Sequence, residues 1–302
     1  MAAAKKYVVS IYSPLGGQGA SFIASQLVHQ LAKTNTSCLV DLNLDYSASI
    51  HYLSLNPADA FRKSALSGGE ETLLSSFAIR VENNYFAVGA PLLGYGQFAE
   101  ETHEAAKELV DQCRAEFDFT IIDLPRPLHV ELTKSMLKMS DLILVLGESS
   151  DYSAQACIKL KEIVSDKSFA IDPKKLLFLF NKSMTQDKSS WTIFIWQVLA
   201  LLVVLVAVYF LRPQWFSNPV FFIVGLIILM RLAWPRARDL SKTASSKLAK
   251  SQISFFHFLP HDSKSCRMAI NQGHFLDDNT KTGRSLKELA EKLKTKLAAV
   301  QK

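Results

Sequence analysis

Cysteine is scarce in these 302 residues: Cys38, Cys113, Cys157 and Cys266 are all there is, with no CxxC pair and no metal-ligand spacing. That argues against a disulfide framework or a thiolate metal cluster, and the four read as small buried residues of a reducing compartment. The histidines (His29, His51, His103, His129, His257, His261 and His274) pair nowhere at ligand spacing either, so no metal site is expected from them. The opening MAAAKKYVVSIYS lacks an apolar run of signal-peptide length, and the chain is expected to start in the cytoplasm. There is no internal repeat and no low-complexity tract. Acidic residues thin out toward the C-terminus: from Arg231 to Lys302, 15 Lys and Arg face 6 Asp and Glu, a net +9, whereas the remainder carries 19 against 22, a net −3. A basic tail can suit nucleic acid, but this one follows an apolar segment, where a collar facing anionic lipid explains it better.

What is present is an alternation of apolar runs and helical patterns. Residues Tyr7–Ser13, Cys38–Leu44, Tyr85–Ala90, Phe119–Leu124, Leu142–Gly147, Leu176–Lys182 and Gln252–Leu259 read as strands, most of them apolar on both faces. Helix-length segments lie near Ser21–Lys33, Ala99–Glu116, Glu131–Met139 and Tyr152–Val164. The expected fold class is α/β, a doubly wound and mostly parallel sheet covered by helices on both sides.

One segment breaks the alternation. Trp191–Leu211 holds no charge across 21 residues. At ~1.5 Å per residue it can cross a hydrocarbon core of ~30 Å. The loop RPQWFSNP follows, then a second apolar run, Val220–Trp234, whose Arg231 can snorkel to the interface. Residues 189–245 are therefore expected to form an inserted two-helix transmembrane hairpin, with helices at about 191–211 and 220–234. The discontinuous domain, 1–188 with 246–302, flanks it. Lysines and arginines crowd both outer flanks, and the inter-helix loop carries a single arginine. The positive-inside rule then places the main domain in the cytoplasm and makes the chain a multi-pass inner-membrane protein.

Chemistry is concentrated at strand ends. The first strand runs through SPLGGQGAS into a helix, and a glycine-rich turn opening a helix offers amides and the positive dipole end to a phosphate. Gly16, Gly17 and Gly19 permit close backbone approach, although a tight connection between strand and helix would also use glycine there. Ser21 stands where a hydroxyl would reach Mg²⁺. Asp41 and Asp123 close the second strand and the FDFTIID segment, at the sheet edge where carboxylates hold Mg²⁺-linked water, though each would also suit a turn or cap.

Taken together, these segments resemble the ParA/MinD superfamily of deviant P-loop ATPases, and most nearly its CpaE/TadZ pilus-assembly branch. The loop Gly16-Gly17-Gln18-Gly19-Ala20-Ser21 is similar to the family's GGxGKT, and Asp41 through Ala48 resembles its DLDLQFGD. Asp118 through Pro125 is similar to YDxVIIDLP, Asn181-Lys182 to the base-contacting NK turn, and Leu259-Pro260-His261-Asp262 with Asn271-Gln272-Gly273 to its terminal segment. The likeness covers about residues 5–183 and 252–300. It implies a P-loop NTPase-like fold, a nucleotide on residues 16–21 with Asp41 and Asn181, Mg²⁺ on Ser21 and Asp123, and a homodimer or partner complex. Three positions depart. Ala20 stands for the loop lysine, Leu15 for the lysine that crosses a dimer, and Asn43 for the second acidic residue, which positions water. Phosphoryl transfer depends on positioning and charge neutralisation, and one cationic contact of this kind is worth ~10³–10⁵ in rate. Weak ATP or ADP binding with Mg²⁺, without efficient hydrolysis, is the expectation.

The C-terminal RSLKELAEKLKTKLAAVQK sets Leu286, Leu289, Leu293 and Leu297 along one stripe. Such a helix could lie on a membrane, but the narrow aliphatic stripe favours packing on the sheet. The reading as a whole is a membrane-anchored, degenerate ParA/MinD-like scaffold that recruits or positions an inner-membrane secretion or type IV-like (Tad) pilus machine. One rival is an active MinD-like ATPase switching between monomer and dimer, which Leu15 and Ala20 oppose. Another is a ParA-like DNA-binding partition protein, which the hairpin opposes, so nucleic acid is not an expected partner.

Overall fold

Strand β1 (Tyr7–Tyr12) is buried along its whole length, and its alternate residues feed two separate cores. Val8 and Tyr12 join one; Tyr7, Val9 and Ile11 join the other. The same split runs through β2 (Ser37–Asp41), with Cys38 and Val40 against Leu39, and through β5 (Phe119–Asp123), with Ile122 against Phe119 and Ile121. An apolar run on both faces is what a strand needs when helices cover it on both sides.

In the computed structural model the described residues are 5–43, 48–55, 78–89, 99–126, 128, 130–166, 169–183, 248, 251, 253 and 255–300. The remaining described strands are β3 (Ile79–Glu82), β4 (Tyr85–Gly89), β6 (Leu142–Glu148), β7 (Leu176–Ser183) and β8 (Phe255–Pro260). All eight form one sheet in the order β3-β4-β2-β5-β1-β6-β7-β8. Every pairing is parallel except β3 with β4, which is antiparallel at the edge. Strand β1 lies where the winding reverses, between β5 and β6. In open sheets of this kind the crevice beyond the carboxyl ends at that point is where ligands bind.

One helical layer contains α3 (Ala99–Glu116), α4 (Glu131–Met139) and α5 (Asp151–Ser165), which bury Leu109, Met136 and Leu160 among others in the first core. The other contains α1 (Ala20–Ala32), α2 (Ala48–Tyr52), α6 (Ser263–Gln272) and α7 (Lys281–Val300). The leucine stripe of α7 belongs to this second core: Leu286, Leu289, Leu293 and Leu297 are fully or almost fully buried. The helix packs on α1 and β8, as the narrow stripe suggested.

The described fold is therefore a mostly parallel α/β sheet, as expected. The chain divides into two compact units, Met1–Ser183 with Thr243–Lys302, and Met184–Lys242. Among the described residues no helix is long and apolar enough to cross a membrane. The hairpin expected at 189–245, with its helices at 191–211 and 220–234, lies outside the described residues. On its C-terminal side the chain rejoins the first core at Leu248 and Ile253, both buried. Strand β8 begins at Phe255, later than Gln252, and β2 ends at Asp41, ahead of Leu44.

Candidate functional site

The turn from β1 to α1 is built around two backbone angles. Gly17 (φ 75°) and Gly19 (φ 87°) are left-handed, a conformation that penalises any side chain with a Cβ. Nothing lies within 4 Å of where a Cβ would project from Gly17, whereas at Gly19 it would meet Asn181 Nδ2 at 2.8 Å. At Gly16 a Cβ would run into the guanidinium of Arg126.

Side chains from neighbouring strands and helices fix the loop. The Ser13 hydroxyl lies 2.6 Å from both the Leu15 carbonyl and Gln18 Oε1, and can donate to one at a time. Gln18, buried, donates through Nε2 to Ser153 Oγ (2.8 Å), which also accepts the Glu148 amide. Asn181 Nδ2 donates to the Gln18 carbonyl at 2.7 Å, and Lys182 Nζ donates to the Gly17 carbonyl at 2.8 Å while pairing with Glu148 at 2.6 Å. The carbonyls of Gly17 and Gln18 are thus held from β7, and Leu15's lies beside Ser13. Gly19, the N-cap of α1, makes no side-chain hydrogen bond. The opening amides of a helix have no intrahelical partner, so they remain for solvent or an anion.

Beside this turn sit two carboxylates. Asp41 and Asp123 are direct register partners across β2 and β5, and they are 0% and 1% exposed. Asp41 accepts from the amides of Asn43 (2.9 Å) and Ser49 (3.1 Å). Asp123 accepts from the Ser49 hydroxyl at 2.7 Å and from Ser21. Burial, and then the charge of Asp41, push the Asp123 carboxyl up to about 7, although both hydroxyls pull it the other way. No cation figures among the groups that shift Asp123.

That arrangement fits Mg²⁺. A divalent ion would neutralise two buried carboxylates held side by side, and Ser21 and Asp123 are the groups beside the loop able to hold it. Among the described residues no group of three or more His, Cys, Asp or Glu is placed to bind a metal. The ion would accordingly depend on phosphate oxygens and water for its remaining ligands, as Mg²⁺ commonly does.

All nine residues singled out in the sequence meet at this edge: Gly16, Gly17, Gln18, Gly19, Ala20 and Ser21 on the turn and first helical residues, Asp41 and Asp123 at adjacent strand ends, and Asn181 bracing the turn from β7. Ala20 opens α1 and contributes no charge. Asn43 lies two residues beyond Asp41, and its amide serves that carboxylate. Nothing in the sequence pattern pointed to Ser49, which bridges the acidic pair, nor to Ser153 and Arg126.

No protein-family model matches the sequence, and no curated protein matches it. Solved structures do. A ParA family ATPase from Chlorobium tepidum TLS superposes with a TM-score of 0.63 at 14% identity, over 96% of this chain and 99% of that one. A putative plasmid partition protein from Borrelia burgdorferi B31, bound to AMPPNP, gives 0.63 at 15% identity, over 97% and 100%. The septum site-determining protein MinD from Pyrococcus horikoshii OT3, complexed with Mg-ADP, gives 0.61 at 13% identity, over 98% of each. The fold is that of the ParA and MinD ATPases, a P-loop nucleotide-binding fold.

Proposed function

We propose that this chain is a membrane-anchored, degenerate ParA/MinD-like protein of the CpaE/TadZ type. In this reading it binds a Mg²⁺-nucleotide weakly and acts as a scaffold for an inner-membrane secretion or type IV-like pilus machine. The observation that carries the reading is a retained cradle with missing cations. Glycine conformations, helix end, Ser21 and the Asp41–Asp123 pair are in place, while Ala20 and Leu15 stand where charge would be needed for fast turnover. The nucleotides named for the Borrelia and Pyrococcus structures support ATP or ADP with Mg²⁺ as the ligand class. Anchoring rests on the uncharged run 191–211 and the basic flank that follows 234. A homodimer is the simplest assembly, and protein partners, more than chemistry, define the role.

The test is phosphate release by the purified full chain in detergent with Mg-ATP, together with mass spectrometry of what co-purifies from membranes. No steady-state release above background and a co-purifying secretion or pilus complex are expected. Turnover on the order of once per minute would replace this reading with an active MinD-like switch.

A further inference from the structure

The loop lacks a lysine of its own, yet two cations from elsewhere in the chain lie against it, and they differ in one respect. Lys182 is already neutralised: its ammonium pairs with Glu148 at 2.6 Å and donates to the Gly17 carbonyl. Arg126 has no such partner, for no carboxylate among the described residues pairs with it. Its guanidinium lies against Gly16 so closely that a Cβ there would collide with it. Gly16 is thus needed for the arginine to lie against the turn, whatever its service to an anion. Arg126 follows Asp123 by three residues, and its backbone is held where β1 ends, because the Tyr12 hydroxyl donates to its carbonyl at 2.8 Å. Arginine stays charged at any physiological pH, and its planar fork can meet phosphate oxygens two at a time.

We propose that Arg126 supplies in cis the positive charge that Ala20 and Leu15 leave out, its guanidinium binding the phosphates of a nucleotide seated on residues 16–21. This rests on the nucleotide reading above and adds the group that makes such binding electrostatically workable. A guanidinium arriving from the segment after β5 neutralises charge without standing at the lysine's place in the helix, which is compatible with retention and slow turnover. The chain then holds nucleotide through an arginine whose position is tied to Asp123, three residues upstream.

The experiment is equilibrium titration of the full chain in detergent with Mg-ATP, Mg-ADP and adenosine, for wild type, Arg126→Gln and Arg126→Lys. Arg126 is exposed, so both variants should melt as wild type does. Arg126→Gln should weaken ATP and ADP by ~10–100-fold and leave adenosine unchanged, with Arg126→Lys in between. The affinity of Arg126→Gln for ATP should also depend less on salt. Equal or tighter ATP binding by Arg126→Gln, with wild type binding normally, overturns this assignment alone; tighter binding would mean that the arginine blocks the loop. An equal loss for adenosine would mark a structural role and overturn it as well. Absence of any nucleotide binding by wild type overturns the nucleotide reading itself, and this inference with it.

Discussion

Replacing Asp123 with asparagine should stabilise the ligand-free protein. Asp123 is 1% exposed and directly beside Asp41, and its carboxyl is pushed up to about 7 by burial and by that neighbour. An unfolded aspartate titrates near ~3.9, so holding the carboxylate ionised in the folded state costs about 4 kcal/mol at pH 8, as a ceiling. The sign follows from proton uptake. A raised folded pKa means that this group's contribution to stability is fully present below the unfolded value, falls as pH rises from about 4, and is gone above about 7. Asparagine carries no charge and still offers Ser49 a carbonyl acceptor, so part of that ceiling should be recovered. We expect about 2–3 kcal/mol at pH 8, or roughly 5–10 °C in melting temperature for a unit of this size. The gain should shrink to under ~1 kcal/mol near pH 4. Melting of wild type and Asp123→Asn across pH 4–8, in a Mg²⁺-free buffer, measures it. A variant less stable than wild type at pH 8, or a gain that does not change with pH, would refute the reasoning, since either means the pair is already compensated.

Other substitutions probe other parts. Ala20→Lys should tighten Mg-ATP binding ~10-fold or more in a fluorescent-analogue titration without producing steady-state phosphate release, because Asn43 cannot position water as a carboxylate would. Leu293→Ala, in the fully buried stripe of α7, should lower stability by ~2–5 kcal/mol in denaturant unfolding; no loss would return the helix to a membrane role. A cysteine placed in the 212–219 loop should react with an impermeant thiol reagent in spheroplasts, and one near Lys242 should not; the opposite labelling would invert the topology.

Much of this architecture was legible because its strands are buried on both faces. Runs such as VVSIY, CLV and TIID carry no alternation to hide, and β1, β2, β4, β5, β6 and β7 follow from them. Strand β3 was missed for the converse reason. It is four residues long at the sheet edge, with Arg80 and Glu82 exposed, and only Ile79 and Val81, each half-buried against a different core, mark it as a strand. Helix α6 fully buries only Ala269, with Cys266 and Ile270 partly buried beside it, a stripe too short to register, although Asp262 caps its start and Gly273, at φ 63°, its end. Helix α2 is five residues long, too short for any period to register. At the site, glycines and strand-end aspartates announce themselves because turns and parallel strands demand them in fixed places. Ser49 and Arg126 do not. Ser49 lies eight residues beyond Asp41 and acts only because α2 folds back over the acidic pair; Arg126 acts only because the turn after β5 lies beside the turn after β1.

Calorimetric titration of the full chain with Mg-ADP, repeated without Mg²⁺ and with Asp123→Asn, tests most directly the claim that residues 16–21 and the acidic pair form a phosphate and Mg²⁺ site. The account predicts weak saturable binding to wild type that depends on Mg²⁺ and is lost in Asp123→Asn, even though that variant melts higher. Absence of a binding isotherm at millimolar nucleotide, or binding that survives both the removal of Mg²⁺ and the loss of Asp123, would contradict it.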